Sequence, residues 1–262
     1  MVYFWLIVGA LVGSFLNVCI YRLPRGESVV FPASHCPRCG ASLLPFDLVP
    51  IVSYFFLLGR CRRCHERISW RYPLVEALSA MSFAAAWQAA LGQPISFIFY
   101  VIFLSVLIVI FFIDLEFKVI PDSVTMIGIF SGLIYNLLQG AASLQAINFN
   151  SLISSVAGML LGFMLLYAIS YFGKSFYKKE VMGEGDLYLA ALLGAYLGWA
   201  GVLLAVFLAY VLAAVVAGGF LIAGRVKLSN YIPFGPALAA GGIITLFYGT
   251  PIINWYLSNF FL

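Results

Sequence analysis

Apolar residues run along this chain in long blocks rather than in the narrow stripes of soluble amphipathic helices. Roughly 20 such residues in succession are needed to cross the hydrocarbon core of a bilayer. On that basis residues 2–20, 72–91, 95–113, 123–138, 152–172, 187–199, 201–223 and 237–256 predict about eight transmembrane helices. The sixth run is short by itself and takes in the residues just before it. The first run opens almost at Met1 without a basic leader or a small-residue cleavage site, so it is expected to be a permanent span rather than a signal peptide. The longest polar interval, 21–71, predicts a small extramembrane insert. The fold expected is all-α and polytopic.

Charge supports this partition. With the N-terminus outside and the spans alternating, segments 21–71, 114–122, 173–186 and 224–236 fall on the cytoplasmic side. They hold all 14 Lys and Arg residues, and the opposite loops hold none, as the positive-inside rule requires. All ten Asp and Glu residues lie on or near the same side. Composition excludes a soluble fold: 64% of residues are apolar and 9% charged, against about 25% charged in soluble domains. The net charge of +4 comes without aromatic–basic interleaving, so no nucleic-acid partner is expected; the lipid bilayer is.

Two C-x-x-C pairs, Cys36/Cys39 and Cys61/Cys64, lie in the insert at zinc-ribbon spacing. Pro37 and Gly40 suit a tight knuckle that puts two thiolates at adjacent corners of a tetrahedron. Disulfides are the alternative, and a reducing cytoplasm disfavours them. Four protein ligands leave no open coordination position, so the expected role is a structural Zn2+. His35 and His65 flank the ligands and are expected beside the site or in solvent, and Cys19 is expected to be an inert thiol within the first span.

Ionisable residues at membrane depth are functional candidates by default. Three carboxylates qualify. Asp114 ends the third span, where a helix dipole disfavours an anion. Asp186 opens the sixth, after Gly183-Glu-Gly185, and two glycines are more than a helix cap needs. Asp122 follows Pro121 and precedes Ser123, which suits an N-cap. Two carboxylates brought together divide into base and acid, the arrangement that activates water against a peptide carbonyl. Both histidines sit beside the cysteines and H-E-x-x-H is absent, which excludes serine–histidine and zinc-protease chemistry.

Six segments in order carry a family resemblance. They are Gly13-Ser-Phe-Leu-Asn-Val-Cys-Ile-Tyr-Arg-Leu-Pro24, the two C-x-x-C pairs, Ile68-Ser-Trp-Arg-Tyr-Pro-Leu-Val-Glu76, Asp114 through Asp122, Gly183-Glu-Gly-Asp186 and Pro233-Phe-Gly-Pro236. The chain resembles the bacterial type IV prepilin peptidases, the GxGD-type aspartic proteases that process pilins and type II secretion pseudopilins. The resemblance implies a multi-pass protein of the bacterial inner membrane with its active site facing the cytoplasm. It implies removal of a basic leader from prepilins or pseudopilins, with Asp114 and Asp186 catalytic and Asp122, Gly183 and Gly185 supporting. It further implies N-methylation of the new terminus with S-adenosylmethionine. That activity is associated with residues 1–91 and their four-cysteine segment, and peptidase activity with the six spans of 92–262. Two positions depart from the family pattern: Tyr188 stands where a lysine is expected and Val181 where a glycine is.

Glu76 lies about one turn inside the second span, five residues after Arg71, and reads either as one half of a salt bridge or as an anchor for the methyl donor or the new amine. Gly9, Gly13 and Asn17 share a helix face and predict close packing. The leader's basic residues are expected to meet the acidic rim of Glu116, Glu180 and Glu184. A membrane scaffold or an ion transporter are the rival readings. A transporter would place its ionisable groups near mid-membrane, and a scaffold does not need aspartates beside glycines.

Overall fold

The computed structural model describes residues 1–139, 149–178, 182–224 and 233–260. Lys179, Glu180, Val181, Arg225 and Lys227 lie outside the described residues. The helices in chain order are α1 (Val2–Arg22), α2 (Val52–Phe56), α3 (Arg71–Ala89), α4 (Pro94–Phe117), α5 (Asp122–Leu138), α6 (Phe149–Tyr177), α7 (Glu184–Ile222) and α8 (Gly235–Phe260). Among the described residues there is no extended strand, only two isolated antiparallel bridges in the insert. Five of the helices, α1, α4, α6, α7 and α8, are long and apolar enough to cross a membrane. The protein is thus all-helical and multi-pass. Two compact units are formed, Met1–Val109 and Ile110–Leu262, with the boundary inside α4.

In the first unit α1 packs against α3. A side chain on Gly9 would come within 2.8 Å of the Ala80 backbone, and one on Gly13 within 2.7 Å of the Glu76 backbone. One turn further, Asn17 Nδ2 donates to the Tyr72 carbonyl at 3.1 Å. The register steps 9 to 80, 13 to 76 and 17 to 72, so the two helices are antiparallel and touch backbone to backbone. Small residues and a hydrogen bond from the Asn17 amide hold them together because lipid offers no hydrophobic drive between apolar helices. Trp5, Trp87, Phe83 and Phe97 stack at the far end of this pair. At the near end the buried Arg22 guanidinium donates to the carbonyls of Ser28 and Pro32 and ties the insert to the end of α1.

In the second unit α7 packs with α5, α6 and α8. It is not one straight rod. Gly198 has φ 69° and ψ −176°, a left-handed extended conformation open to glycine and strained for other residues. Contacts on either side reveal a reversal of direction. Gly158 of α6 faces both Gly194 and Gly198, and Gly162, one turn on, faces both Ala190 and Val202. Residues before and after Gly198 therefore lie at the same level, and α7 is a helical hairpin of two antiparallel halves. The sequence reading splits the run at the same place, between 187–199 and 201–223. The carbonyls freed at the turn are used: Asn136 Nδ2 donates to Ala195 O at 2.9 Å, and the Ser155 hydroxyl donates to the same oxygen. This is what a bilayer demands of non-helical backbone.

The α6–α7 seam is built on Gly158, Gly162 and Gly194, where the backbones meet without intervening side chains. Gly158→Leu should cost at least about 1–3 kcal/mol as an overpacking change. Its unfolding temperature in detergent should fall, whereas Gly218→Ala, whose methyl meets nothing within 4 Å among the described residues, should leave that temperature unchanged or slightly raised.

Candidate active site and metal centre

Asp114 sits in the last turn of α4 and Asp186 in the first turn of α7, and each side chain is only 4% exposed. Their carboxylates interact electrostatically. Ile120, in the short link between α4 and α5, shows how close they are held. A Cβ on Gly185 would lie 2.7 Å from Ile120 Cβ, and a Cβ on Gly235 would lie 3.2 Å from Ile120 Cδ1 and 2.6 Å from Asp114 Oδ2. One isoleucine thus touches the backbone next to Asp186 and the backbone that covers Asp114. Among the described residues Asp114 Oδ2 makes no hydrogen bond, and the Gly235 N–H faces the carboxyl group. Burying a carboxylate with so few partners costs stability.

Asp186 does not cap its helix. Gly183 holds the N-cap position, and Asp186, at the third helical position, turns back toward the Gly183 N–H. The two glycines of Gly183-Glu-Gly185 differ in purpose. Gly185 is needed because Ile120 occupies the space a side chain would fill. Gly183 is exposed, and among the described residues Asp186 Oδ2 is the one atom within 4 Å of a Cβ there, so the glycine keeps a side chain away from that oxygen. Neither glycine has a positive φ, so close approach and not backbone strain accounts for them.

The capping expectation for Asp122 is corrected. Pro121 holds the N-cap position of α5, Asp122 is the first helical residue, and no side-chain cap bond forms. The helix therefore begins one residue earlier than a cap at Asp122 requires, with Pro121 (φ −68°, ψ 125°) as the last extended residue. Asp122 is exposed in the first turn, where a negative charge still favours the helix dipole.

Four further residues line this site without having been singled out as site residues by sequence. Ile120 and Gly235 are described above. Lys118, at the end of α4, lies within electrostatic reach of Asp114. Tyr210 of the second α7 half reaches Asp186 electrostatically and stacks on Phe234 at 4.9 Å between centroids. Gly235 was legible as the small residue between Phe234 and Pro236; nothing marked Tyr210 among the chain's 15 tyrosines. Tyr188 packs its ring beside Phe163 at 5.9 Å. Glu116 and Glu184 are exposed near the aspartates.

In the insert the Sγ atoms of Cys36, Cys39, Cys61 and Cys64 lie within 4.8 Å of one another. Each pair sits in the same knuckle. Cys36 N–H donates to Ala41 O and Gly40 N–H to Cys36 O; Cys61 N–H donates to Glu66 O and His65 N–H to Cys61 O. The bridges His35–Ser42 and Arg60–Arg67 close the two loops. Gly40 and His65 take the same left-handed turn, φ 67° and 56°, so the second knuckle uses a histidine where the first uses glycine. Cys36 and Cys64 Sγ are 3.8 Å apart. Thiolates on a tetrahedral zinc, at a Zn–S distance of about 2.3 Å, stand about 3.8 Å apart, far beyond a disulfide bond. The donor set therefore fits a four-coordinate soft metal. His35 Nδ1 is engaged with the Ala33 carbonyl instead. Arg62 binds Asp47 at 2.8 Å and holds that carboxyl below the usual range, bracing the second knuckle against the Pro45–Leu48 turn.

Glu76 is buried in the α1–α3 seam, and its Oε2 accepts the Ile51 backbone N–H at 2.6 Å.

A family model described as the bacterial peptidase A24 N-terminal domain matches residues 7–90, and the type IV leader peptidase family model matches residues 101–218. Proteins named prepilin leader peptidase/N-methyltransferase are similar over nearly all of the chain. That of Aeromonas hydrophila is 35% identical, covering 95% of this chain and 91% of the relative. That of Burkholderia pseudomallei (strain K96243) is 35% identical, covering 95% and 85%. That of Neisseria gonorrhoeae is 35% identical, covering 97% and 93%. No solved structure matches. With both family models aligned in order along one chain, and these full-length relatives beside them, the chain belongs to the type IV leader peptidase family.

Proposed function

We propose that this protein cleaves the leader from prepilins or type II secretion pseudopilins at the cytoplasmic face of the bacterial inner membrane, and then N-methylates the new terminus. The observation that carries the peptidase reading is the pair of buried carboxylates, Asp114 and Asp186, held at two helix ends around Ile120. In this reading one carboxylate takes a proton from water as it attacks the scissile carbonyl, and the other, protonated, donates to the leaving amine. The exposed glycine backbone at Gly183 would admit an extended substrate segment beside Asp186. Asp122, exposed at the start of α5, supports the site from its rim, and the exposed Glu116 and Glu184 offer charge to a basic leader. The orientation follows from the segregation of basic residues: N-terminus outside, site toward the cytoplasm.

Cys36, Cys39, Cys61 and Cys64 would hold a structural Zn2+, closed by four thiolates, so the metal braces the insert and takes no part in peptide cleavage. Methyl transfer, with S-adenosylmethionine as donor, is assigned to residues 1–91, with peptidase activity in 92–262. Glu76 is the anionic candidate for the donor or the new amine. The cleft of about 420 Å³ in the insert is lined by Phe46, Val49, Val52, Ser53, Phe56, Leu57 and Arg62. It presents no carboxylate to a sulfonium and does not fit that donor by itself, so no step of methyl transfer is routed through it.

Purified Asp114→Asn and Asp186→Asn should each lose prepilin cleavage by at least about 10²–10⁴-fold, the usual contribution of a general acid or base. Both should still methylate a pre-cleaved substrate, and normal cleavage by either variant overturns the pair. Gly185→Ala should slow cleavage by pushing on Ile120 Cβ, and the added change Ile120→Gly, which removes that atom, should restore part of the rate; if it restores none, Ile120 does not set the spacing. Elemental analysis should find about one zinc per chain in the wild type, as a single four-ligand site requires, and little in Cys61→Ser. An unchanged zinc content in Cys61→Ser overturns the metal assignment.

A further inference from the structure

The insert is expected to be a water-exposed module, yet its surface carries large apolar side chains. Phe55, Phe56, Leu58 and Trp70 are 66%, 84%, 85% and 69% exposed. Exposed apolar groups in such number mark an interaction surface. Their position relative to α1 and α3 identifies the partner. Ile51, immediately before α2, is bonded to Glu76, and Glu76 lies opposite Gly13 of α1. Gly13 is seven residues short of Ile20, the last apolar residue of the first run, about 10 Å at 1.5 Å per residue. Measured along α3, Glu76 is five residues inside Arg71, about 7.5 Å. The chain therefore leaves α1, forms the metal knuckle, and dips back beside the spans before α2 begins.

The backbone there is provided for as a bilayer requires. Pro50 has no N–H to satisfy. Ile51 N–H is taken by the Glu76 carboxylate. The N–H groups of Ser53, Phe55, Leu57, Leu58 and Gly59 are taken by carbonyls of residues 49–55. Irregular backbone at membrane depth survives only when satisfied in this way. Ile51 itself is held at φ 63° and ψ −54°, a conformation that strains a β-branched residue and persists only where its surroundings impose it. Within the insert Arg25, Arg38, Arg60, Arg62, Arg63 and Arg67, of which Arg38 pairs with Glu66 and Arg62 with Asp47, outnumber Glu27, Asp47 and Glu66, a balance complementary to anionic headgroups.

We propose that residues 50–58 form a re-entrant wedge seated in the headgroup–acyl boundary of the leaflet where α1 ends and α3 begins, with Phe55, Phe56 and Leu58 among the acyl chains, Trp70 at the interface, and Glu76 holding the wedge at depth. That depth matches the roughly 5–10 Å typical of interfacial segments. The proposal rests on the membrane-spanning fold and not on either catalytic activity.

The test uses the full chain, with its metal-site cysteines intact, reconstituted in vesicles of phosphatidylcholine with and without phosphatidylglycerol. An environment-sensitive fluorescent amino acid replaces Phe56, and in a second protein Leu58; both side chains are too exposed for folding to depend on them. The expected result is loss of most of the fluorescence with lipids spin-labelled on the upper acyl chain and little loss with aqueous iodide, the lipid quenching being stronger when phosphatidylglycerol is present. Glu76→Ala should shift quenching from lipid toward iodide, while Glu76→Gln, which keeps an acceptor oxygen, should resemble the wild type. Strong iodide quenching without lipid quenching at both positions overturns the proposal. So does lipid-insensitive fluorescence that a prepilin shields from iodide, because the surface would then be a substrate dock.

Discussion

The close approach of α6 to the α7 hairpin is the contact on which the second unit depends. Gly158, Gly162 and Gly194 let backbones meet, and Gly198 lets the chain turn back within the bilayer. The turn leaves carbonyls without helical partners, and Asn136 and Ser155 take them up at Ala195. With both halves of α7 pinned, its first turn has a fixed place, and Asp186 with it. Apolar helices in lipid gain little from burying one another, so this geometry comes from packing and hydrogen bonds, both short-range and intolerant of added atoms. A single glycine-built seam therefore governs the position of a carboxylate about twelve residues away from the turn.

Around that seam the site is assembled from helix ends. Asp114 closes one helix, Asp186 opens another, and Gly235 opens a third. Helix ends bring free backbone groups and chain flexibility to the membrane edge, where a peptide can arrive extended and water can follow it. Ile120 acts as a spacer among the three, and the glycines at 185 and 235 are the cavities into which it and Asp114 fit. Placing two carboxylates where they are only 4% exposed costs stability. In the proposed peptidase reading, that cost is the one a catalytic pair carries.

The first unit solves a related problem with different parts. Its two helices touch through Gly9 and Gly13, its insert is closed by four thiols, and Arg22 and Glu76 fasten insert to helices. Glu76 illustrates how the setting changes the meaning of a charge. On a linear reading it is a salt-bridge partner or a cofactor anchor; in three dimensions its carboxylate carries the backbone of a segment that has returned to membrane depth.

Much of this protein was determined locally and so was legible in sequence. The helical runs follow from hydropathy and the knuckles from C-x-x-C spacing and Gly40, because each depends on residues that are neighbours in the chain. Asp114 and Asp186 stood out for the same reason, as carboxylates at the ends of apolar runs. Tertiary structure decided the rest. The proximity of the two aspartates, the spacing role of Ile120, the cover of Gly235, the approach of Tyr210 and the hold of Glu76 on Ile51 all join residues between 6 and 121 positions apart. No local rule encodes such pairings, since they arise only when helices have chosen partners and register. The cap at Asp122 marks the boundary between the two kinds of information: composition suited it to capping, but the helix starts one residue earlier with Pro121 at its N-cap, and one residue is enough to turn a cap into a first-turn charge.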